Sequence, residues 1–87
     1  MPKVGMDYVR DIVGWLKGIG ITADSRIHRK LIEKGIMLKV GFSPPIAAKY
    51  MAMLLELEIL KPAPLGEPGV DKDIFVIDFE KFYELMV

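Results

Sequence analysis

Residues 62–69, Pro-Ala-Pro-Leu-Gly-Glu-Pro-Gly, hold three prolines and two glycines in eight positions. Proline cannot donate to a hydrogen-bond ladder and clashes inside a helix, and glycine loses the most freedom on ordering. No regular element passes through such a stretch. It separates Glu58-Ile59-Leu60-Lys61 from Ile74-Phe75-Val76-Ile77, and the second run, β-branched and aromatic, reads as a strand. Residues 58–77 are therefore expected to form a hairpin with a long loop. The remaining elements have to pack on it.

Those elements read as helices. Residues 7–18 carry Val9, Ile12, Val13 and Leu16 at helical spacing, with Tyr8, Ile12 and Trp15 as an adjacent stripe. Asp7 is the expected cap, and Gly18 and Gly20 the expected stop. A second helix is expected over 25–34, capped by Thr22 or Asp24 and stopped by Gly35. Its stripe is narrow (Ile27, Leu31, Ile32), and Arg26, His28, Arg29, Lys30, Glu33 and Lys34 make up the rest. Residues 36–42 read as either a short strand or a packed turn. Ser43-Pro44 opens a third helix that runs to about Leu57, because Ser accepts from free N–H groups and Pro needs none at the first position. Ile46, Tyr50, Met53, Leu54 and Leu57 share one of its faces. Asp78 is placed to cap a last short helix offering Phe79, Phe82, Tyr83 and Met86 to the core. The expected core is Val9, Ile12, Val13, Leu16, Ile27, Leu31, Ile46, Tyr50, Leu54, Leu57, Ile59, Phe75 and Ile77.

A chain of 87 residues makes one domain, here expected over 1–87. At 52 % hydrophobic it is not a disordered composition. Cysteine is absent, which removes disulfides, thiolate metal sites and thiol nucleophiles. No apolar run reaches the ~18 residues of a membrane span, and no signal-peptide pattern opens the chain. A cytoplasmic protein without a membrane partner is the expectation. Asparagine and glutamine are also absent, a loss reported among hyperthermophile proteins, so a thermophilic archaeal source is expected.

Chemistry-bearing residues are few. His28 is the one histidine, with no converging ligands in its helix to make a metal site. Asp71, Asp73 and Asp78 alternate through the hairpin, as acids guarding a strand edge do. The glycines build no phosphate loop, and both serines, Ser25 and Ser43, sit where helices start. No catalytic residue, metal or cofactor is expected, so the chain reads as a non-enzyme.

The order helix, helix, helix, strand, long loop, strand, helix resembles a winged helix-turn-helix domain. The stretch from Ser43 to Leu60, with a small polar cap, a buried Ala, a Tyr and a Leu leading to a final Ile-Leu, looks like that family's third helix entering its first wing strand. The resemblance covers roughly residues 7 to 78. It implies an α+β fold of three helices, a β-hairpin wing and a short C-terminal helix. It also implies binding of duplex DNA, with the third helix in the major groove and residues 62–73 as the wing. Three features depart from the pattern. The outer face of the third helix is Pro45, Ala48, Ala52 and Leu55 with Lys49 its one cation, and the wing sets Lys72 against Glu67, Asp71 and Asp73. Gly35 to Ser43 is also longer than the 3–4 residues of a tight helix-turn-helix.

Charge supplies the candidate site. Twelve basic and twelve acidic residues cancel overall, yet residues 1–43 hold eight cations against four acids and residues 44–87 hold four against eight. Such a dipolar chain can steer an anionic partner to one end. Arg26, Arg29 and Lys30 are spaced to share one surface of the second helix; with Lys34, Lys39 and Lys49 they are the expected phosphate contacts of weak, salt-dependent duplex binding. A small archaeal regulator or accessory factor of a DNA-processing complex fits this reading. The alternative is a protein-interaction subunit of a replication or transcription complex, using the acidic wing and the outer face of the third helix. Pro45, Ala48, Met51, Ala52 and Leu55 would then meet a partner or a second copy in a homodimer.

Overall fold

The computed structural model describes residues 5–86; Lys3 and Val87 lie outside them. It is an α+β fold of four helices and a small antiparallel sheet. The helices are α1 (Gly5–Gly18), α2 (Arg29–Lys39), α3 (Pro44–Glu56) and α4 (Phe79–Met86), and the strands are β1 (Ile27–His28), β2 (Leu60–Pro62) and β3 (Ile74–Ile77). The sheet order is β1-β3-β2. Ile27 pairs with Phe75, and Leu60 with Ile77. The hairpin stands where the proline-rich stretch placed it, and a strand from the far side of α2 joins it.

Backbone bonds explain how the helices stop. At the end of α1, Gly20 adopts φ +98°, its N–H donates to the Lys17 carbonyl at 3.1 Å, and the Ile21 N–H donates to Leu16 at 3.1 Å. This is the left-handed termination that glycine makes cheaply, and it folds the next residue back on the core. The end of α3 repeats it with Glu58 at φ +62°, Glu58 donating to Leu55 and Ile59 to Leu54, both at 3.1 Å. Ile59 is fully buried as a result. The end of α2 differs: Val40 stays right-handed at φ −117° and its N–H simply donates to Ile36. The chain then turns into α3 within residues 40–43.

The second helix departs from its expected bounds at both ends. Residues 22–25 form a turn closed by the Ser25 N–H on the Thr22 carbonyl, with the Thr22 N–H on the Ser25 hydroxyl at 2.9 Å, so neither Thr22 nor Asp24 caps a helix. Ile27 is drawn into the sheet against Phe75. His28 is the cap, its Nδ1 accepting from the Lys30 N–H at 3.1 Å. Gly35 does not stop the helix. A β-carbon there would lie 2.7 Å from Cε3 of Trp15, so glycine is present because the Trp15 ring of α1 lies on the α2 backbone. The helix continues one turn further and buries Ile32 and Ile36, while Leu31 is only half-buried. Residues 36–39, expected as a strand or a turn, are that last helical turn.

Other expectations fare unevenly. Asp7 lies inside the first turn of α1, 3.5 Å from Arg10. Ser43 precedes α3 in extended conformation but makes no side-chain cap bond; Pro44 and Pro45 remove the first two N–H donors of the helix. Asp78 does cap α4, accepting the Lys81 N–H at 3.0 Å. Most of the expected core is buried, with Ile46 and Leu57 only partly so; Ala47, Met51, Leu60, Ala63 and Phe82 join it.

Two glycine substitutions separate packing from propensity. Gly14 is exposed in the middle of α1 with nothing within 4 Å of a built β-carbon, so Gly14→Ala is expected to stabilise by about 1 kcal/mol. Gly35→Ala gains the same propensity but displaces the Trp15 ring, and a net loss of about 1–2 kcal/mol is expected, with a shift in Trp15 fluorescence. Leu54→Ala, at a position 1 % exposed, should cost about 2–5 kcal/mol. Denaturant unfolding reads all three.

Candidate nucleic-acid interface

The revised bounds of α2 rearrange the basic cluster. Arg26 precedes the sheet and is not helical, so Arg26, Arg29 and Lys30 do not share one helix face. Arg26 forms a two-pronged pair with Glu67 in the β2–β3 loop, Nε to Oε2 at 2.7 Å and Nη2 to Oε1 at 2.8 Å, and it also donates to the Asp24 carbonyl. Bidentate guanidinium–carboxylate geometry of this kind is the strongest ordinary ion pairing. The Arg26 bond holds the Glu67 carboxyl below its usual range, and the Arg26 guanidinium is raised in return. Arg29 opens α2 with Nε 3.6 Å from the Asp73 carboxylate and its guanidinium 5.9 Å from the centre of the Phe75 ring. Its backbone N–H donates to the Asp73 carbonyl at 2.8 Å. Two of the six expected phosphate contacts are thus committed to the protein's own hairpin loop.

The same pairs change the character of the wing candidate. Glu67 and Asp73 are balanced by Arg26 and Arg29, and Asp71 accepts the Asp73 N–H at 2.8 Å in a local turn. The loop is therefore close to electrically neutral, and the repulsion expected between it and phosphate is largely relieved.

Four expected contacts remain exposed, and no ion pair engages them among the described residues: Lys30, Lys34, Lys39 and Lys49. Lys30 and Lys34 are four apart on α2, and the next position of that row is Leu38. No acid stands in the first turn of α2, where Arg29 and Lys30 sit instead. The helix dipole adds to their positive potential at that end. Lys49 rises from α3, its Nζ 5.8 Å from the Tyr50 ring centre. Burial raises the Tyr50 hydroxyl above its usual value, with Tyr8 adding to the shift.

The outer face of α3 is partly as expected. Pro45, Ala48 and Ala52 are exposed, and Leu55 is half-buried. Met51 is not on that face: it is 3 % exposed and belongs to the core, because α3 is covered over a wider arc than the Ile46, Tyr50, Met53, Leu54 and Leu57 face. Sequence reasoning also missed Phe42. At 81 % it is the most exposed of the large apolar side chains, and Leu38 is exposed to 48 %. Both lie in residues 36–42, the segment whose apolar composition reads as a short strand or a packed turn. The available signal was the helical spacing of Lys30, Lys34 and Leu38, which the apparent stop at Gly35 concealed.

No group of three His, Asp or Glu side chains that could hold a metal occurs among the described residues. A shallow depression between Ala23, β3 and Phe79 has Lys61, Asp78 and Glu80 as charged members, of which Lys61 and Asp78 are bonded to each other at 3.0 Å. No described helix is long and apolar enough to cross a membrane. Comparison with known proteins finds no family model, no characterised protein and no solved structure that matches the chain.

The Asp78 carboxyl is held below its usual range by the Lys81 N–H first and by the Lys61 ammonium second. A carboxyl depressed in the folded state contributes stability that is present above its unfolded pKa and lost as pH falls through the folded one. Thermal stability should therefore drop below about pH 4. Asp78→Ala should lower it by about 1 kcal/mol at neutral pH and make the acid transition shallower.

Proposed function

We propose that this chain is a non-enzymatic winged-helix module that binds DNA through its phosphates, weakly and with little sequence preference. The observation that carries the reading is the set of exposed lysines outside any ion pair among the described residues, Lys30, Lys34 and Lys39 on α2 with Lys49 on the next helix. It is joined by architecture. Residues 40–43 connect α2 to α3 in four residues, the length of a tight helix-turn-helix, whereas Gly35 as a stop implied a longer link. The hairpin follows α3 directly, and two of the three acids in its loop, Glu67 and Asp73, are paired with arginines. Base-edge readout needs amide, guanidinium or carboxylate side chains on the inserted helix. The exposed face of α3 offers Pro45, Ala48, Lys49 and Ala52 instead, which is why contact to phosphate is proposed and sequence readout is not. The likeness to a winged helix supports a role in DNA transactions by analogy only.

A salt titration of duplex binding tests this. Three or four phosphate contacts give a slope of log affinity against log salt of about −3 to −4. Lys30→Glu, Lys34→Glu and Lys39→Glu together should flatten it by about one unit per lost contact. Absence of binding at 20 mM salt, the order of ionic strength at which such contacts are strongest, would overturn the proposal.

The exposed small residues on α3 favour a second reading, a protein-interaction subunit or homodimer. Small side chains let two helices approach to ~8–10 Å. In that case light scattering should show a dimer at high micromolar concentration, and Ala52→Glu should yield a folded monomer. A wild-type monomer removes the homodimer.

A further inference from the structure

The end of α2 is where this protein departs from its own habit. Helices α1 and α3 both terminate through a left-handed residue, which folds the following apolar side chain, Ile21 or Ile59, back onto the core. At α2 the corresponding side chain is Phe42. Val40 is right-handed, and Gly41 is not among the residues with positive φ, so the bonds that would tuck Phe42 inward are not made. Phe42 stands 81 % exposed. The ring thus contributes little burial to folding and is left available to another molecule. It lies three residues past Lys39, just beyond the C-terminal end of the helix that carries Lys30, Lys34 and Lys39.

Resting on the reading of the lysines as phosphate contacts, we infer that Phe42 is a stacking platform for an unpaired base, so that the preferred ligand is DNA with a single-stranded segment next to duplex. The lysine row is complementary to a polyanion, which selects nucleic acid over an apolar protein surface. An exposed flat ring just past these lysines has no face to meet along a continuous base stack. An unpaired nucleotide presents one, and stacking on an aromatic ring is tolerant of sequence. The absence of amide side chains from the whole chain agrees with recognition by stacking and charge.

Fluorescence anisotropy with three labelled probes tests it: a blunt duplex, the same duplex with a ten-nucleotide overhang, and the single strand alone. The overhang probe should bind about tenfold more tightly than the blunt duplex. Phe42→Ala, whose fold is checked by circular dichroism, should remove that advantage and leave blunt-duplex affinity within twofold; Phe42→Trp should keep it. Equal affinity of wild type for blunt and overhang probes overturns this inference while leaving phosphate binding in place. So does unchanged discrimination in Phe42→Ala. If Phe42→Ala alters none of the affinities, the ring serves a protein contact instead. Failure of all three probes at low salt removes both this inference and the function on which it rests.

Discussion

One contact between α1 and α2 governs the arrangement of everything after it: the Trp15 ring lying against the backbone at Gly35. Any side chain at 35 would push the two helices apart. With glycine there, α2 runs on to Lys39 and Ile36 reaches the core. The extra turn shortens the link to α3 to four residues and makes Leu38 and Lys39 part of the helix. A helix that stopped at residue 34 would have placed none of these groups where they stand.

That contact also divides what was legible in the sequence from what was not. The hairpin, α3 and α4 are written in local terms: prolines that exclude regular structure, apolar residues at fixed intervals, and an aspartate three residues before the N–H it accepts. The register of α2 is not local. Its glycine resembles a stop by every nearby signal, and only a tryptophan on another helix gives it a different purpose. Ile27 likewise reads as helical by its spacing from Leu31, yet its place is set by Phe75, far along the chain. Met51 reads as part of the small apolar outer face with Ala48 and Ala52, whereas it is buried in the core. Of the candidate site, the lysines of α2 and α3 were legible as charge, but the pairing of Arg26 and Arg29 was not.

Those pairings show how a chain with opposite charges in its two halves comes to terms with itself. Glu67 and Asp73 come from the acidic half and meet Arg26 and Arg29 from the basic half, across the junction of β1 with the hairpin. All four side chains are partly exposed, so each pair adds little to stability on its own. Their effect is one of selection. They withdraw two arginines from the surface and leave a narrower set of cations, all lysines, on α2 and α3. Lysine is a mobile point charge without the fork that recognises a particular phosphate or base geometry, which accords with tolerant rather than selective binding.

The three-stranded order has a consequence for the life of the molecule in crowded solution. Both outer strands of a sheet offer unpaired backbone groups to any other extended chain, the usual beginning of fibrous assembly. Here β1 is two residues long, too short to template a neighbour. On the opposite side, β2 ends in Pro62, which has no N–H to give, preceded by the charged Lys61. The same proline-rich run that forces the hairpin loop also spoils the border of the sheet against recruitment. The loop composition thus acts twice, once to shape the monomer and once to keep concentrated monomers from growing into one another strand by strand.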